Sequence, residues 1–91
     1  MNHEDGERRT RMEIAVYPLG TGDQSVSRHV SAIFDILDRS GLTYEITLMG
    51  TLVEGSPDDL FALARELHEA VLDGEVRRVI TVMKIDDRYV N

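Results

Sequence analysis

The sequence lacks cysteine and tryptophan, and it is poor in proline and aromatic residues. Without cysteine there can be no disulfide framework, thiolate metal site or cysteine nucleophile, which makes a reducing cytoplasm the expected compartment. The longest apolar runs are about five residues, far short of the roughly 20 that a membrane-spanning helix needs. The first residues are polar and charged rather than basic and then apolar, so no secretory signal is expected.

Acidic residues outnumber basic ones by 17 to 10, which gives a net charge of −7. Such a chain repels phosphate backbones, so we expect no nucleic acid partner. Its aromatic residues also do not cluster as a stacking platform for RNA. At 91 residues we expect one small domain, with residues 1–11 as a disordered leader and residues 12–91 as the folded part.

The hydrophobic spacing predicts the element order β-α-β-β-α-β. A period of two predicts strands from Met12, over residues 44–48 and 51–54, and from about Val76 to Ile85. Stripes at helical spacing predict two helices, the second of which starts at Ser56-Pro57 with an N-cap and a proline at the first turn. This order predicts an α+β ferredoxin-like sandwich, in which a four-stranded antiparallel sheet carries two helices on one face.

The same alternation assigns side chains to the two faces of the sheet. Six are expected on the helix side: Met12, Ile14, Val16, Tyr44, Ile46 and Leu48. The open side is expected to collect Ala15, Tyr17, Thr47, Met49, Thr51 and Val53, with the register of the third strand left open. That mixture is too apolar for a freely solvated face, so it predicts subunit packing, a small-molecule site, or both.

Few residues carry an argument for chemistry on their own. The glycine-bearing loop from Pro18 to Ser25 could present N–H groups to an anion, although a turn with a helix cap explains it as well. Glu54 and Lys84 are charges in otherwise apolar strands, either a partly exposed pair at the sheet edge or ligand contacts. His29 and His68 lack metal-site spacing and are expected on helix surfaces. No catalytic triad or carboxylate pair is found, so we expect neither a metal site nor enzymatic activity.

Three separated segments carry a resemblance to a known family. They are residues 14–22 (IAVYPLGTG), residues 41–55 (GLTYEITLMGTLVEG) and residues 78–88 (RVITVMKIDDR). Together they resemble the small YkoF-like thiamine-binding proteins over about residues 12–88. Leu48 stands where the family's typical T-P-M-G-T segment has proline, which could loosen the entry to the hairpin.

The resemblance implies a ferredoxin-like subunit that pairs through its sheets and assembles as a homotetramer of two dimers. It also implies binding of thiamine or its hydroxymethylpyrimidine portion, without turnover and without a required cofactor. For a flat pyrimidine joined to a cation, Tyr17 and Met49 are the expected wall and Glu54 the expected carboxylate. The expected ligand-binding set is Tyr17, Thr21, Ser25, Thr47, Met49, Thr51, Glu54 and Lys84.

Two other kinds of function remain open from the sequence. The chain could be a structural or regulatory module whose open sheet face is used in self-assembly, with no ligand. It could also be an ACT-like effector-sensing domain that binds an anion at the glycine loop. A pocket for a cation would favour thiamine binding. A sheet interface without a cavity would favour self-assembly, and an anion at the helix N-terminus would favour effector sensing.

Overall fold

The computed structural model describes residues 7–20, 23–72 and 76–90, with the side chains of α1 described from Arg28 onward. Its elements, in chain order, are β1 (Glu7–Leu19), α1 (Asp23–Ser40), β2 (Thr43–Thr47), β3 (Gly50–Glu54), α2 (Pro57–Val71) and β4 (Arg78–Val90). The strands form one antiparallel sheet in the order β2-β3-β1-β4. This is the α+β ferredoxin-like arrangement, so the predicted fold class is confirmed.

The two central strands, β3 and β1, differ greatly in length from each other. β1 pairs with β4 over 13 positions, from Glu7↔Val90 to Leu19↔Arg78. It pairs with β3 only over four positions, from Arg11↔Glu54 to Ile14↔Thr51. β1 and β4 therefore form a long ribbon that continues past the β2–β3 hairpin at both ends.

The expectation of a disordered leader over residues 1–11 is wrong for residues 7–11, which belong to β1. Residues 7–11 are all polar, so they show no alternation of apolar and polar side chains that would predict a strand. The Arg8 guanidinium donates to the Asp87 carboxylate from Nε at 2.9 Å, and the Thr10 hydroxyl donates to it at 3.0 Å. β4 accordingly runs to Val90, five residues beyond its predicted end. Residues 1–6 lie outside the described residues.

α2 begins as its sequence predicts. The side chain of Ser56 accepts a hydrogen bond from the Asp59 N–H at 3.1 Å, and Pro57 occupies the first turn. Asp58 and Asp59 lie in that first turn, where acidic side chains complement the positive end of the helix dipole. The helix buries a stripe consisting of Leu60, Leu63, Ala64, Leu67 and Val71.

The core lies between the two helices and one face of the sheet. Its strand contribution comes from Met12, Ile14 and Val53, all of them buried. Val16, Tyr44, Met83 and Ile85 pack against this cluster as partly buried side chains.

The register corrects the assignment of faces. Val53 pairs with Met12 and Tyr44, and Thr51 pairs with Ile14 and Ile46, so both residues point to the helix side rather than the open side. Ile46 is on the predicted side but remains 48% exposed. Leu48 is not on a strand face at all: it lies in the β2–β3 turn and is fully exposed.

Candidate functional site

A cleft of about 240 Å³ lies where the turn of the β2–β3 hairpin meets β1. The β1–β3 register ends at Ile14↔Thr51, while β1 continues to Leu19. The segment Ala15–Leu19 is therefore paired with β4 on one side and has no β3 partner on the other. Such an open strand edge offers backbone donors and acceptors beside apolar side chains, which is what a small planar ligand needs.

The floor and the walls of this cleft come from five elements (β1, α1, β2, β3 and α2) and from the hairpin turn. The helix side contributes Val16 from β1, Ile33 from α1 and Leu67 from α2. Tyr17 and Met49 rise at the rim and are 50% and 76% exposed. The remaining lining residues are Ile14, Ala15, Ile46, Thr47, Leu48, Gly50 and Thr51.

The turn that closes the cleft is held by the side chain of Thr47. Its hydroxyl donates to the carbonyl oxygen of Gly50 at 2.8 Å and accepts from the Met49 N–H at 3.1 Å. The hydroxyl proton is thus already engaged within the turn. Thr47 can therefore act toward a ligand only as an acceptor, and its first role is to shape the hairpin end.

Gly50 allows the hairpin to approach β1 closely. Its φ is +148°, and a Cβ at this position would lie 2.8 Å from the carbonyl oxygen of Ile14. Only glycine satisfies both conditions without a shift of backbone. The depth of the cleft at its β3 side therefore depends on this glycine.

The predicted ligand-binding residues do not all come together. Tyr17, Thr47, Met49 and Thr51 line the cleft. Thr21 lies outside the described residues, as does the side chain of Ser25, whose backbone is in the first turn of α1.

Glu54 and Lys84 lie elsewhere on the sheet. Glu54 is at the opposite end of β3 from Gly50, where it lines a second depression with Arg11, Thr43 and Glu45. It is three residues from Thr51, about 10 Å along a strand, and points to the other face. The Lys84 ammonium lies 3.8 Å from the Glu13 carboxylate, at an exposed ion pair beside a third depression. Glu54 and Lys84 therefore do not form an ion pair with each other, and neither side chain lines the cleft.

An ion pair between Arg8 and Asp87 is also remote from the cleft. The hydrogen bond from the Arg8 guanidinium holds the pKa of Asp87 below its ordinary value, and the Thr10 hydroxyl acts in the same direction. Asp87 in turn raises the pKa of Arg8. This group ties the two strands of the ribbon at the end away from the hairpin turn.

The two helical histidines differ from the expectation in one respect. His29 is buried rather than on a helix surface. The ring of His68 is hydrogen bonded through Nδ1 to the Thr81 hydroxyl, which joins α2 to β4. Within residues 7–20, 23–72 and 76–90, no three histidine or acidic side chains are grouped to hold a metal ion. In that same part of the chain no helix is long and apolar enough to cross a membrane.

Sequence reasoning missed several residues of the cleft. Ile33 and Leu67 belong to helical stripes and were assigned only to the core, whereas each also borders the cleft. Gly50 carries a signal in the sequence, since a glycine directly after an exposed turn predicts an unusual φ. The contribution of Val16 depends on β3 being shorter than β1, which no local pattern reveals.

The geometry defines a ferredoxin-like domain with an apolar cleft at the end of its hairpin. Residues 12–90 match the sequence profile of the family described as thiamine-binding protein. The chain therefore belongs to the thiamine-binding protein family.

Individual relatives agree with this assignment. The UPF0045 protein of Methanothermobacter thermautotrophicus is 44% identical over 77 residues, which cover 84% of this chain and 78% of that protein. The crystal structure of the hypothetical protein MJ1052 from Methanocaldococcus jannaschii is similar with a TM-score of 0.76 and 35% identity, over 90% of this chain and 82% of that one. A Thermotoga maritima protein proposed to act in thiamine biosynthesis or salvage shares the fold, with a TM-score of 0.71 and 20% identity over 86% and 82% of the two chains.

Proposed function

We propose that this protein binds thiamine or its hydroxymethylpyrimidine portion, without catalysis, in the cleft between the hairpin turn and β1. The observation that carries the proposal is the position of the cleft. It lies between two of the three segments that resemble the family, residues 14–22 and 41–55, and its rim is formed by Tyr17 and Met49.

The chemistry of the cleft suits a flat heteroaromatic ring. Tyr17 offers an aromatic face and Met49 a polarisable thioether, and both side chains are exposed at the rim of the cleft. Thr51 supplies a hydroxyl, and the unpaired edge of β1 supplies backbone groups at the same depth. An aminopyrimidine carries both donors and acceptors in its plane, so it can pair with such an edge.

A second copy of the chain completes the site in this proposal. The cleft has a volume of about 240 Å³, which is below the roughly 300–1,000 Å³ of a typical small-molecule pocket. Its rim adjoins the open face of the sheet, where Tyr17, Leu52, Ile80 and Val82 are exposed. Packing of two open faces would bury this apolar patch and enclose the ligand, with no further cofactor required.

Calorimetric titration with thiamine and, separately, with hydroxymethylpyrimidine tests the proposal. We expect saturable binding near micromolar, or about −8 kcal/mol. Thr51→Val should weaken it at least several-fold. The matched control is Thr43→Val, a threonine at the other end of the same hairpin and outside the cleft. Equal binding by both variants would refute the assignment of the cleft.

Glu54→Gln addresses the charge expected beside the thiazolium. Because Glu54 lies outside the cleft, the titration with hydroxymethylpyrimidine should be unchanged in this variant. A loss of thiamine binding alone would show that the cation is held by Glu54, across the interface between two copies. A loss of binding for both ligands would place the site at the second depression instead.

A second candidate function rests on the open face itself. The exposed apolar side chains of β1, β3 and β4 suit a module whose only role is self-assembly. A stable oligomer that produces no heat with either ligand would favour this function over ligand binding.

A further inference from the structure

Every second residue of β1 turns its backbone groups towards the hairpin. The Gly55 N–H donates to the carbonyl oxygen of Thr10 at 3.3 Å, so the backbone of Thr10 faces the β3 side. In an antiparallel sheet, successive residues direct their N–H and C=O groups to opposite neighbours. The pairing of β1 with β4 keeps one register over all 13 positions. The same alternation therefore continues to Val16 and Pro18, whose backbone groups point away from β4.

Pro18 supports this alternation independently. Proline has no N–H, so within a sheet it occurs where a ladder donor is not needed. Pro18 pairs with Val79 of β4, and β1 continues to Leu19. The side on which Pro18 lacks a donor is therefore the side away from β4. Val16, two residues earlier, has the same orientation, and its N–H is the last backbone donor of β1 on the hairpin side.

Val16 presents a donor and an acceptor side by side at the cleft. The β1–β3 register ends at Ile14↔Thr51, so within the described part of the chain no strand residue takes up the N–H and the C=O of Val16. The two groups of such a residue point in the same direction, as they do in a hydrogen-bonded pair of an antiparallel ladder. A ring nitrogen beside an exocyclic amino group offers the complementary acceptor and donor in one plane.

A ring paired with this strand edge would lie between two apolar surfaces. Pairing in the plane of the sheet turns one face of the ring to the helix side, where Ile33 and Leu67 line the cleft. The other face turns to the open side, where Tyr17 is exposed. Apolar surfaces above and below a few polar groups suit a flat heteroaromatic ring.

The cleft offers no partner to a cation. None of the twelve residues that line it in the described part of the chain is charged. Glu54, the carboxylate expected beside a thiazolium, lines a different depression. A cation moved from water into an apolar site without a counter-charge loses hydration that nothing in the site offsets. The volume of about 240 Å³ also suits one ring better than the two rings of thiamine.

We propose that the cleft selects a neutral aminopyrimidine over thiamine, and that the backbone of Val16 recognises it. This inference rests on the proposed function and chooses between its two ligands. The Val16 N–H donates to a ring nitrogen, and the neighbouring amino group donates to the Val16 carbonyl oxygen. Thiamine carries the same pair of groups, but its thiazolium brings a positive charge that the cleft leaves unpaired, so thiamine binds more weakly.

Calorimetric titration of the intact chain with three ligands tests this selection. They are hydroxymethylpyrimidine, thiamine, and the analogue of hydroxymethylpyrimidine in which a methyl group replaces the amino group. We expect hydroxymethylpyrimidine to bind about tenfold more tightly than either of the others, which is the effect of one unmatched polar group.

Each outcome of the titration has a separate meaning. Thiamine binding as tightly as hydroxymethylpyrimidine would overturn the selection of a neutral ligand. Equal binding of the methyl analogue would overturn the pairing with Val16. Both of these results leave the proposed function standing, whereas the absence of binding by hydroxymethylpyrimidine and thiamine would overturn the proposed function together with this inference.

Val16→Pro tests the backbone donor directly. It removes the N–H on the cleft side and leaves the donors of the β1–β4 ladder in place, as Pro18 already does. Val16→Ala is the matched control, because it also changes the side chain but keeps the N–H. Val16→Pro should bind hydroxymethylpyrimidine about tenfold more weakly than Val16→Ala, with circular dichroism as the check that both variants are folded.

Equal binding by the two folded variants would overturn the role of Val16. If Val16→Pro does not fold, the methyl analogue decides the same question on the unmodified chain, because it removes the ligand's half of the same hydrogen-bonded pair.

Discussion

Replacement of Gly50 by alanine tests the proposed construction of the hairpin end most directly. The new Cβ would lie 2.8 Å from the carbonyl oxygen of Ile14, which belongs to a central strand that is paired on both sides. Since the contact is with backbone, no side chain can rotate to relieve it. The φ of +148° adds its own cost. A residue forced into such a backbone region costs about 1–3 kcal/mol, and the contact raises the expected loss to about 3–4 kcal/mol.

Gly41→Ala is the matched control. Gly41 also has a positive φ, +73°, but a Cβ there would meet nothing within 4 Å. Its loss should therefore be the conformational part alone, about 1–2 kcal/mol. The difference between the two variants isolates the contact with Ile14.

Urea unfolding followed by circular dichroism measures both losses, at one protein concentration because assembly adds to apparent stability. In a thermal melt the loss at Gly50 should lower the midpoint by roughly 12 °C or more for a domain of this size. If Gly50→Ala is no more destabilising than Gly41→Ala, the close approach of the hairpin to β1 does not exist in solution and the cleft geometry is wrong.

Three further changes probe other parts of the fold. Leu60→Ala removes a fully buried core side chain and should cost about 2–5 kcal/mol in urea unfolding; a loss below 1 kcal/mol would contradict the packing of α2. Ser56→Ala removes the acceptor for the Asp59 N–H and should cost about 1 kcal/mol, with Ser56→Thr as the conservative control. Asp87 has a depressed pKa, so the stability it adds with Arg8 is present above the pKa of an unfolded aspartate and lost as pH falls through the lower folded value. Asp87→Asn should therefore reduce stability at neutral pH and have little effect in strong acid, and an equal effect at both would disprove the pairing.

The elements that could be predicted from the sequence are those with a local cause. The second helix has its cap at Ser56 and a continuous stripe from Leu60, and both are found as expected. The ends of β1 and β4 were missed because they depend on partners some 80 residues apart. Glu7 to Arg11 have no apolar alternation of their own, and they are strand only because Asp87 and its neighbours lie opposite them.

For a related reason, the sequence does not determine which side chains of β3 face the helices. A strand of five residues after a two-residue turn has no sequence feature that fixes its phase. Pairing with both β1 and β2 decides it, and Val53 enters the core while Glu54 points to the open side. This alternation separates two of the predicted ligand-binding residues, because Thr51 lines the cleft and Glu54 does not.

The difference in strand length accounts for the cleft and its apolar rim together. Residues of β1 beyond Ile14 would be covered if the hairpin extended two or three residues further. Instead the chain turns at Leu48 and Met49, so the apolar side chains at 17, 46, 48 and 49 remain exposed around an unpaired strand edge. At the other end of the ribbon the residues of β1 beyond β3 are polar, from Glu7 to Thr10, and the exposed apolar side chains there, Tyr89 and Val90, belong to β4. The exposed apolar side chains of β1 and the hairpin therefore lie around the hairpin turn, where a ligand or a second copy can cover them.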